Sequence, residues 1–168
     1  MSIPKPIYEN GDYVLLEYIP TLFHLLYIDF EPTYFIRRMR FVLEYLRKGK
    51  YKVYYLKVKG RMVGHCVITP GGRRLKCSGR HDIVIGPYYI KESERGKGYG
   101  KEIMLLSLDH CSIDYKNAYC WIDKTNTPSI KAAESCGFKK VAELNVVKPF
   151  RKLVIVENGE DNIYKYRK

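Results

Sequence analysis

The chain has 168 residues, and 30 basic against 18 acidic side chains give it a formal net charge of +12 with histidine neutral. Its hydrophobic fraction of 46% can supply a core, which excludes wholesale disorder, and no uncharged apolar run is long enough to cross a membrane or direct secretion. The five cysteines form no CxxC pair, which argues against a disulfide framework or a zinc ribbon and favours a cytoplasmic location.

The first half of the chain predicts several strands and one helix. Residues 32–48 begin with a proline and carry apolar side chains at helical spacing, which predicts the helix. Lys59-Gly60-Arg61 is a compact turn signal that joins two β-rich runs into a hairpin. The strands are predicted over residues 13–19, 51–58, 62–69 and 81–90.

The second half predicts two helices, over residues 98–112 and about 128–137. Their order with the strands contains a strand–helix–strand unit, which predicts a parallel pair with a right-handed crossover. Asn158-Gly159 predicts a tight turn before the last strand. The further strands are predicted over residues 118–122, 138–147, 153–156 and 163–166. The chain is therefore expected to form one α/β domain, residues 1–168, with a mixed sheet.

A glycine-rich segment separates the strand at residues 81–90 from the helix at 98–112. Its three glycines, at alternate positions, let a ligand approach the backbone closely, and the helix N-terminus presents unpaired amides and partial positive charge. The spacing fits neither the Walker A nor the dinucleotide-binding pattern. Together with the cation at Lys101, the segment predicts a phosphate-binding loop at Arg95-Gly96-Lys97-Gly98-Tyr99-Gly100.

The spacing Arg-x-x-Gly-x-Gly in this loop resembles the acyl-CoA-binding signature of the GNAT family of N-acetyltransferases. A later segment, with Asn126, Ser129 and Ile130 followed by Cys136-Gly137-Phe138, resembles a second signature of that family at the expected separation. The resemblance covers some two-thirds of the chain, from about Tyr51 onward. It implies a GNAT-like α+β fold of about six to seven strands with a splayed parallel pair and about four helices.

The resemblance also implies how acetyl-CoA, the co-substrate, would be held without any metal. Amides from Arg95 to Lys101 would bind the CoA pyrophosphate, and the end of the preceding strand would pair with the pantetheine arm. The helix after the second parallel strand would add an amide side chain to the arm and a lysine to the phosphates. The residues assigned to the cofactor beyond the loop are Tyr89, Ile90, Lys91, Asn126, Ser129 and Lys131.

Acetyl transfer by direct attack of an amine in a ternary complex needs a base, a donor for the developing oxyanion and an acid for the departing thiolate. A backbone amide near Tyr89 or Ile90 would serve the oxyanion. Many family members carry the acid as a tyrosine four residues before the Gly-Phe glycine. This chain has Ala133 there, so the usual acid is absent.

Four side chains are candidates for the base. His81 and Asp82 begin the strand before the loop, and Asp123 ends the second parallel strand. His81 is equally well explained as a surface residue and Asp123 as a turn cap. His65, on the neighbouring strand, has a similar claim, although a structural histidine is the commoner outcome.

The predicted function is an acyl-CoA-dependent N-acyltransferase that acetylates a primary amine on a small molecule, an amino sugar or a protein N-terminus. One alternative is a basic nucleic-acid-binding domain, which the dispersed cations and the lack of a recognition motif disfavour. Another is a GNAT-like protein that binds CoA without catalysis, which Ala133 would explain. The protein is expected to be a monomer or homodimer that does not bind a membrane.

Overall fold

The structure is a computed structural model, and it describes residues 3–28, 42, 51–72, 75–147 and 152–168. The helix predicted at residues 32–48 lies outside the described residues, apart from Val42. Within the described ranges the chain forms nine strands, two α-helices and a short 3-10 helix at Glu92–Glu94. The strands are β1 (Lys5–Asn10), β2 (Tyr13–Tyr18), β3 (Lys52–Val58), β4 (Arg61–Pro70), β5 (Asp82–Ile90), β6 (Asn117–Asp123), β7 (Lys139–Val147), β8 (Lys152–Val156) and β9 (Asp161–Arg167). The α-helices are α1 (Tyr99–Asp109) and α2 (Thr127–Ser135).

The strands form a mixed sheet in the order β1-β2-β3-β4-β5-β6-β9-β7-β8, which confirms the predicted fold class. β5 and β6 are parallel, pairing Asp82–Val84 with Asn117–Tyr119, and α1 lies in the crossover between them. The strand number exceeds the expected six to seven. One reason is β1, whose pattern KPIYEN has no regular apolar alternation and contains a proline, yet pairs with β2 across a turn at Gly11.

The position of β9 within the sheet was not predicted from the sequence. Asn158 has φ +60 and forms the predicted turn, but β9 does not pair with β8. It lies between β6 and β7, antiparallel to both. The turn fits closely against β7, because a Cβ on Gly159 would lie 2.5 Å from the carbonyl oxygen of Leu144.

The chain divides into two compact units, Met1–Thr69 with Gly86–Cys111, and Pro70–Ile85 with Ser112–Lys168. In the first, buried tyrosines on the sheet bind the segment that follows β2. The Tyr55 hydroxyl accepts hydrogen bonds from the amides of Tyr27 (2.9 Å) and Ile28 (3.2 Å), and it donates to the Ile28 carbonyl (3.1 Å). Tyr51 donates to the carbonyl of Leu25 in the same way. These contacts fix residues 25–28 over the sheet.

In the second unit, the core is built from side chains of β5, β6, β7, β8 and β9, with Leu75 from the loop before β5. At its surface, the Glu143 carboxylate on β7 accepts hydrogen bonds from Lys124 (2.7 Å) and Lys140 (2.6 Å). These two lysines lower the pKa of Glu143 to about 2. No helix among the described residues is long and apolar enough to span a membrane.

Candidate functional site

The glycine-rich loop leaves its backbone open at two positions. Gly96 has φ +79 and Gly98 has φ +83, in the left-handed region that L side chains rarely adopt. Gly98 is also the N-cap of α1. A Cβ added at either glycine would meet nothing within 4 Å, so the space beside this backbone is not filled by the described chain.

The amides of the loop are largely unused. The Arg95 amide donates to the carbonyl of Glu92 (3.2 Å), and the Lys101 amide donates to that of Gly98 (3.0 Å). Between them, the amides of residues 96–100 make no hydrogen bond to any other described residue. Their partial positive charges adjoin the positive end of the α1 dipole, so this backbone is suited to bind a diphosphate.

Two of the cations expected to assist the loop are engaged within it. The Lys97 ammonium lies 2.8 Å from the Glu94 carboxylate, and this hydrogen bond lowers the pKa of Glu94. The Arg95 guanidinium pairs with Glu92 (3.3 Å) and its Nε donates to the carbonyl of Ile90 (3.2 Å). The side chains of Arg95 and Lys97 therefore bring their positive charge to the loop as members of ion pairs. The i,i+3 spacing to acidic residues of the 3-10 helix is the reason.

The end of β5 presents alternate groups to its two edges. The Lys91 amide donates to the Val63 carbonyl of β4 (2.9 Å), and a Cβ on Gly64 would lie 2.4 Å from the Tyr89 carbonyl oxygen. The backbone groups of Tyr89 and Lys91 therefore face β4, and the amide of Ile90 between them faces the other edge of β5. Of the expected strand-end residues, Lys91 is already paired through its backbone, and Ile90 offers the outward amide.

His65 lies against this strand end. It is 5% exposed, its ring stacks on that of Tyr89 with centroids 6.3 Å apart, and the Tyr55 ring is 5.9 Å away. The Arg95 guanidinium covers the Tyr89 ring at 5.3 Å. The sequence named His65 and Tyr89 separately but did not predict that they stack, although an isolated glycine at Gly64 inside a strand signals close approach of another backbone.

In the second unit, the predicted groups near α2 make local contacts. The Asp123 carboxylate accepts hydrogen bonds from the Thr125 hydroxyl (2.6 Å) and amide (2.7 Å), which lower the pKa of Asp123. The Asn126 side chain accepts from the amide of Ser129 (3.3 Å) and caps α2. Ala133 is fully buried, and Lys131 is exposed on the same helix.

Asp82 is a structural anchor at the start of β5. Its buried carboxylate accepts hydrogen bonds from the amide of Gly79 (2.7 Å) and from the backbone (3.1 Å) and side chain (2.8 Å) of Asn117. His81 is exposed, and its carbonyl accepts from the Lys116 amide (2.7 Å). These three donors tie the Asp82 carboxylate to the loop before β5 and to the start of β6. Within the described ranges, no group of three or more His, Cys, Asp or Glu side chains could hold a metal.

Residues 19–138 match the acetyltransferase (GNAT) family. No curated protein shows a significant match to the chain. Among solved structures, the ribosomal L7/L12 alpha-N-protein acetyltransferase RimL is 17% identical, with a TM-score of 0.63 over 99% of this chain and 96% of that one. The microcin C7 self immunity acetyltransferase MccE, in complex with acetyl-CoA and AMP, is 16% identical, with a TM-score of 0.60 over 95% and 94%.

A protein of Pyrococcus horikoshii OT3 is 22% identical, with a TM-score of 0.52 over 69% of this chain and 64% of that one. This chain therefore spans slightly less than two thirds of the Pyrococcus protein. At these identities the likenesses show a shared fold.

Proposed function

The chain belongs to the acetyltransferase (GNAT) family, and from this premise we propose that it transfers an acetyl group from acetyl-CoA to a primary amine. The observation that carries the proposal is the run of uncommitted amides at residues 96–100, beside two glycines whose open space admits a ligand. A GNAT relative of similar fold, MccE, was solved with acetyl-CoA bound, which supports the choice of co-substrate.

In the proposed binding mode the loop amides donate to the two phosphates of CoA. In this mode the backbone dipoles of the loop attract the phosphates, while the side chains of Arg95 and Lys97 pair with acidic residues of the 3-10 helix. The outward amide of Ile90 would donate to the thioester carbonyl. A donor fixed before the reaction stabilises the developing oxyanion without reorganisation.

We propose His65 as the residue that removes the proton from the attacking amine, directly or through one water. It lies against Tyr89 at the strand end that would hold the thioester, and an unprotonated imidazole nitrogen can accept the proton. The neutral amine then attacks the carbonyl carbon, the carbon–sulfur bond breaks, and the thiolate takes a proton from water because Ala133 supplies no hydroxyl. His81, Asp82 and Asp123 remain predictions, and the hydrogen bonds of the two carboxylates favour anchoring.

The acceptor is proposed to be a small-molecule or peptide amine. RimL is a ribosomal L7/L12 alpha-N-protein acetyltransferase, which keeps a protein N-terminus among the candidate acceptors. A protein N-terminus also carries the primary amine that the reaction needs. The test is to incubate the protein with acetyl-CoA and a panel of small amines, amino sugars and peptides, and to measure release of the CoA thiol. Release that depends on an added amine supports the proposal. Binding of acetyl-CoA with no turnover on any amine would instead support a non-catalytic CoA-binding protein.

Two histidine variants separate the candidate bases. His65→Gln is expected to lower kcat and to remove the acidic limb of the pH profile, while leaving the Kd for acetyl-CoA within about twofold. His81→Gln, a matched change at an exposed position, is expected to leave both constants unchanged. A loss of activity in His81→Gln with normal activity in His65→Gln would reverse the assignment.

A further inference from the structure

A second feature with binding character lies in the second unit, at the end of the sheet where β6 begins and β9 finishes. An open cleft of about 640 Å³ is lined there by Tyr115, Lys116, Asn117, Lys165, Arg167 and Lys168. Four of these six side chains are cations and none is acidic. The volume is within the range of about 300–1,000 Å³ that is usual for small-molecule sites.

Strand register places the cations together. Arg167 pairs with Asn117, and Lys165 pairs with Tyr119, across the antiparallel β6–β9 ladder. Because side chains alternate along a strand, Lys165 and Arg167 share one face, about 6.8 Å apart along β9. Lys139 of β7 pairs with Lys165 from the other side, so two like charges lie directly opposite each other, which is unfavourable unless an anion intervenes.

Two of the ammonium groups are held by tyrosine rings. The Lys168 ammonium lies 4.7 Å from the ring centroid of Tyr115, and the Lys165 ammonium lies 5.6 Å from that of Tyr119. Both tyrosines are buried, at 4% and 5% exposure. The rings therefore orient the cations and offer little open surface on which a nucleobase could stack.

The cations of the cleft are not paired with acidic side chains of the described residues. Lysines elsewhere form ion pairs, for example Lys52 with Glu17 and Lys124 with Glu143. None of the four cleft cations forms an ion pair with any acidic side chain in the part of the chain that the structure describes. The buried Asp82 carboxylate accepts its hydrogen bonds from Asn117 and Gly79 and from none of the cleft cations.

We propose that this cleft binds an oligophosphate group, that is, two or more linked phosphates, at a site distinct from the glycine-rich loop. Four cations in one cleft favour a ligand that carries several negative charges, and linked phosphates can contact Lys165 and Arg167 together. Recognition runs through phosphate oxygens, because the aromatic rings are covered by lysines. The site does not depend on the proposed acetyl transfer, and its residues belong to none of the proposed cofactor contacts.

Calorimetric titration with tripolyphosphate tests this, with the full chain and one equivalent of acetyl-CoA, because excess CoA would bring its own linked phosphates to the cleft. We expect one binding site, with orthophosphate at least tenfold weaker. The double variant Lys165→Gln/Arg167→Gln is expected to weaken tripolyphosphate at least tenfold, and Lys116→Gln, on an exposed side chain, to weaken it measurably without altering the circular dichroism spectrum. The matched control Lys5→Gln/Lys59→Gln removes the same charge from β1 and the β3–β4 turn and should leave the affinity unchanged.

If the cleft variant and the control weaken tripolyphosphate binding equally, net charge alone explains the effect and the proposal is overturned. The proposal is also overturned if tripolyphosphate does not bind. A single-stranded oligonucleotide forms a second arm. Tighter binding of the oligonucleotide than of tripolyphosphate, with a salt dependence indicating more than about four phosphate contacts, would assign the surface to nucleic acid instead. If acetyl-CoA does not bind, the titration without it still compares the cleft variant with the control, so the two proposals fail separately.

Discussion

Replacement of Gly98 by aspartate perturbs the proposed phosphate cradle while leaving the packed core untouched. The added Cβ meets no described atom within 4 Å, so no overpacking is expected. The backbone at φ +83 costs about 1–2 kcal/mol for most L-residues, and less for Asp. At about 5 Å from a phosphate, the new carboxylate is repelled by roughly 0.8 kcal/mol per charge in a water-like dielectric and about 3 kcal/mol at an effective dielectric of 20.

Two phosphate charges therefore cost at least about 1.6 kcal/mol of binding free energy, which corresponds to a Kd more than about tenfold weaker. Isothermal titration with CoA measures this, and urea unfolding measures the stability of the same variant. Gly11→Asp is the matched control, because Gly11 also has a left-handed φ, +57, and open space around its Cβ position. Unchanged CoA affinity in Gly98→Asp, or an equal loss in Gly11→Asp, would refute the placement of the diphosphate.

Three further changes test the surrounding structure. Gly64→Ala brings a Cβ against the Tyr89 carbonyl oxygen and should lower the free energy of unfolding by about 1–3 kcal/mol in urea, and a neutral result would contradict the close approach. Tyr55→Phe leaves the amides of residues 27–28 without their acceptor, so we expect the free energy of unfolding to fall by about 1–3 kcal/mol and hydrogen exchange at those amides to become faster. Unchanged exchange would show that the Tyr55 hydroxyl does not hold that segment. The pKa of Glu143 is lowered to about 2 in the folded chain, so its contribution to stability is present above the unfolded pKa of about 4.5 and is lost as pH falls towards 2. The stability difference between the wild type and Glu143→Gln should therefore shrink over that range in urea titrations, and a gap independent of pH would argue against the two lysine contacts.

Local patterns in the sequence predicted the loop well, because the chemistry there is set by neighbours along the chain. The glycine spacing located the loop, and α1 begins at Tyr99, one residue after the predicted start. The engagement of Lys97 by Glu94 was also a local, i,i+3 relationship, and attention to that spacing would have anticipated it.

Non-local features were harder to predict from the same patterns. The alternation in residues 163–166 indicates a strand but does not identify its neighbours, and the insertion of β9 between β6 and β7 depends on contacts such as Gly159 against Leu144. Likewise, the stacking of His65 on Tyr89 depends on how β4 and β5 align, since the two residues are far apart in the chain. The hydrogen bonds of Asp82 to Asn117 likewise depend on the alignment of β5 and β6, which the sequence pattern does not give.

The proposed role of the loop amides can be observed directly by backbone nuclear magnetic resonance. In a titration of the labelled protein with CoA, the amide signals of residues 96–100 should shift downfield and their hydrogen exchange should slow, as expected for donors that gain phosphate oxygens as acceptors. The Gly11 amide should stay in place. If CoA binds while those five amides keep their free chemical shifts and exchange rates, the diphosphate lies elsewhere and the binding mode proposed for this acetyltransferase is wrong.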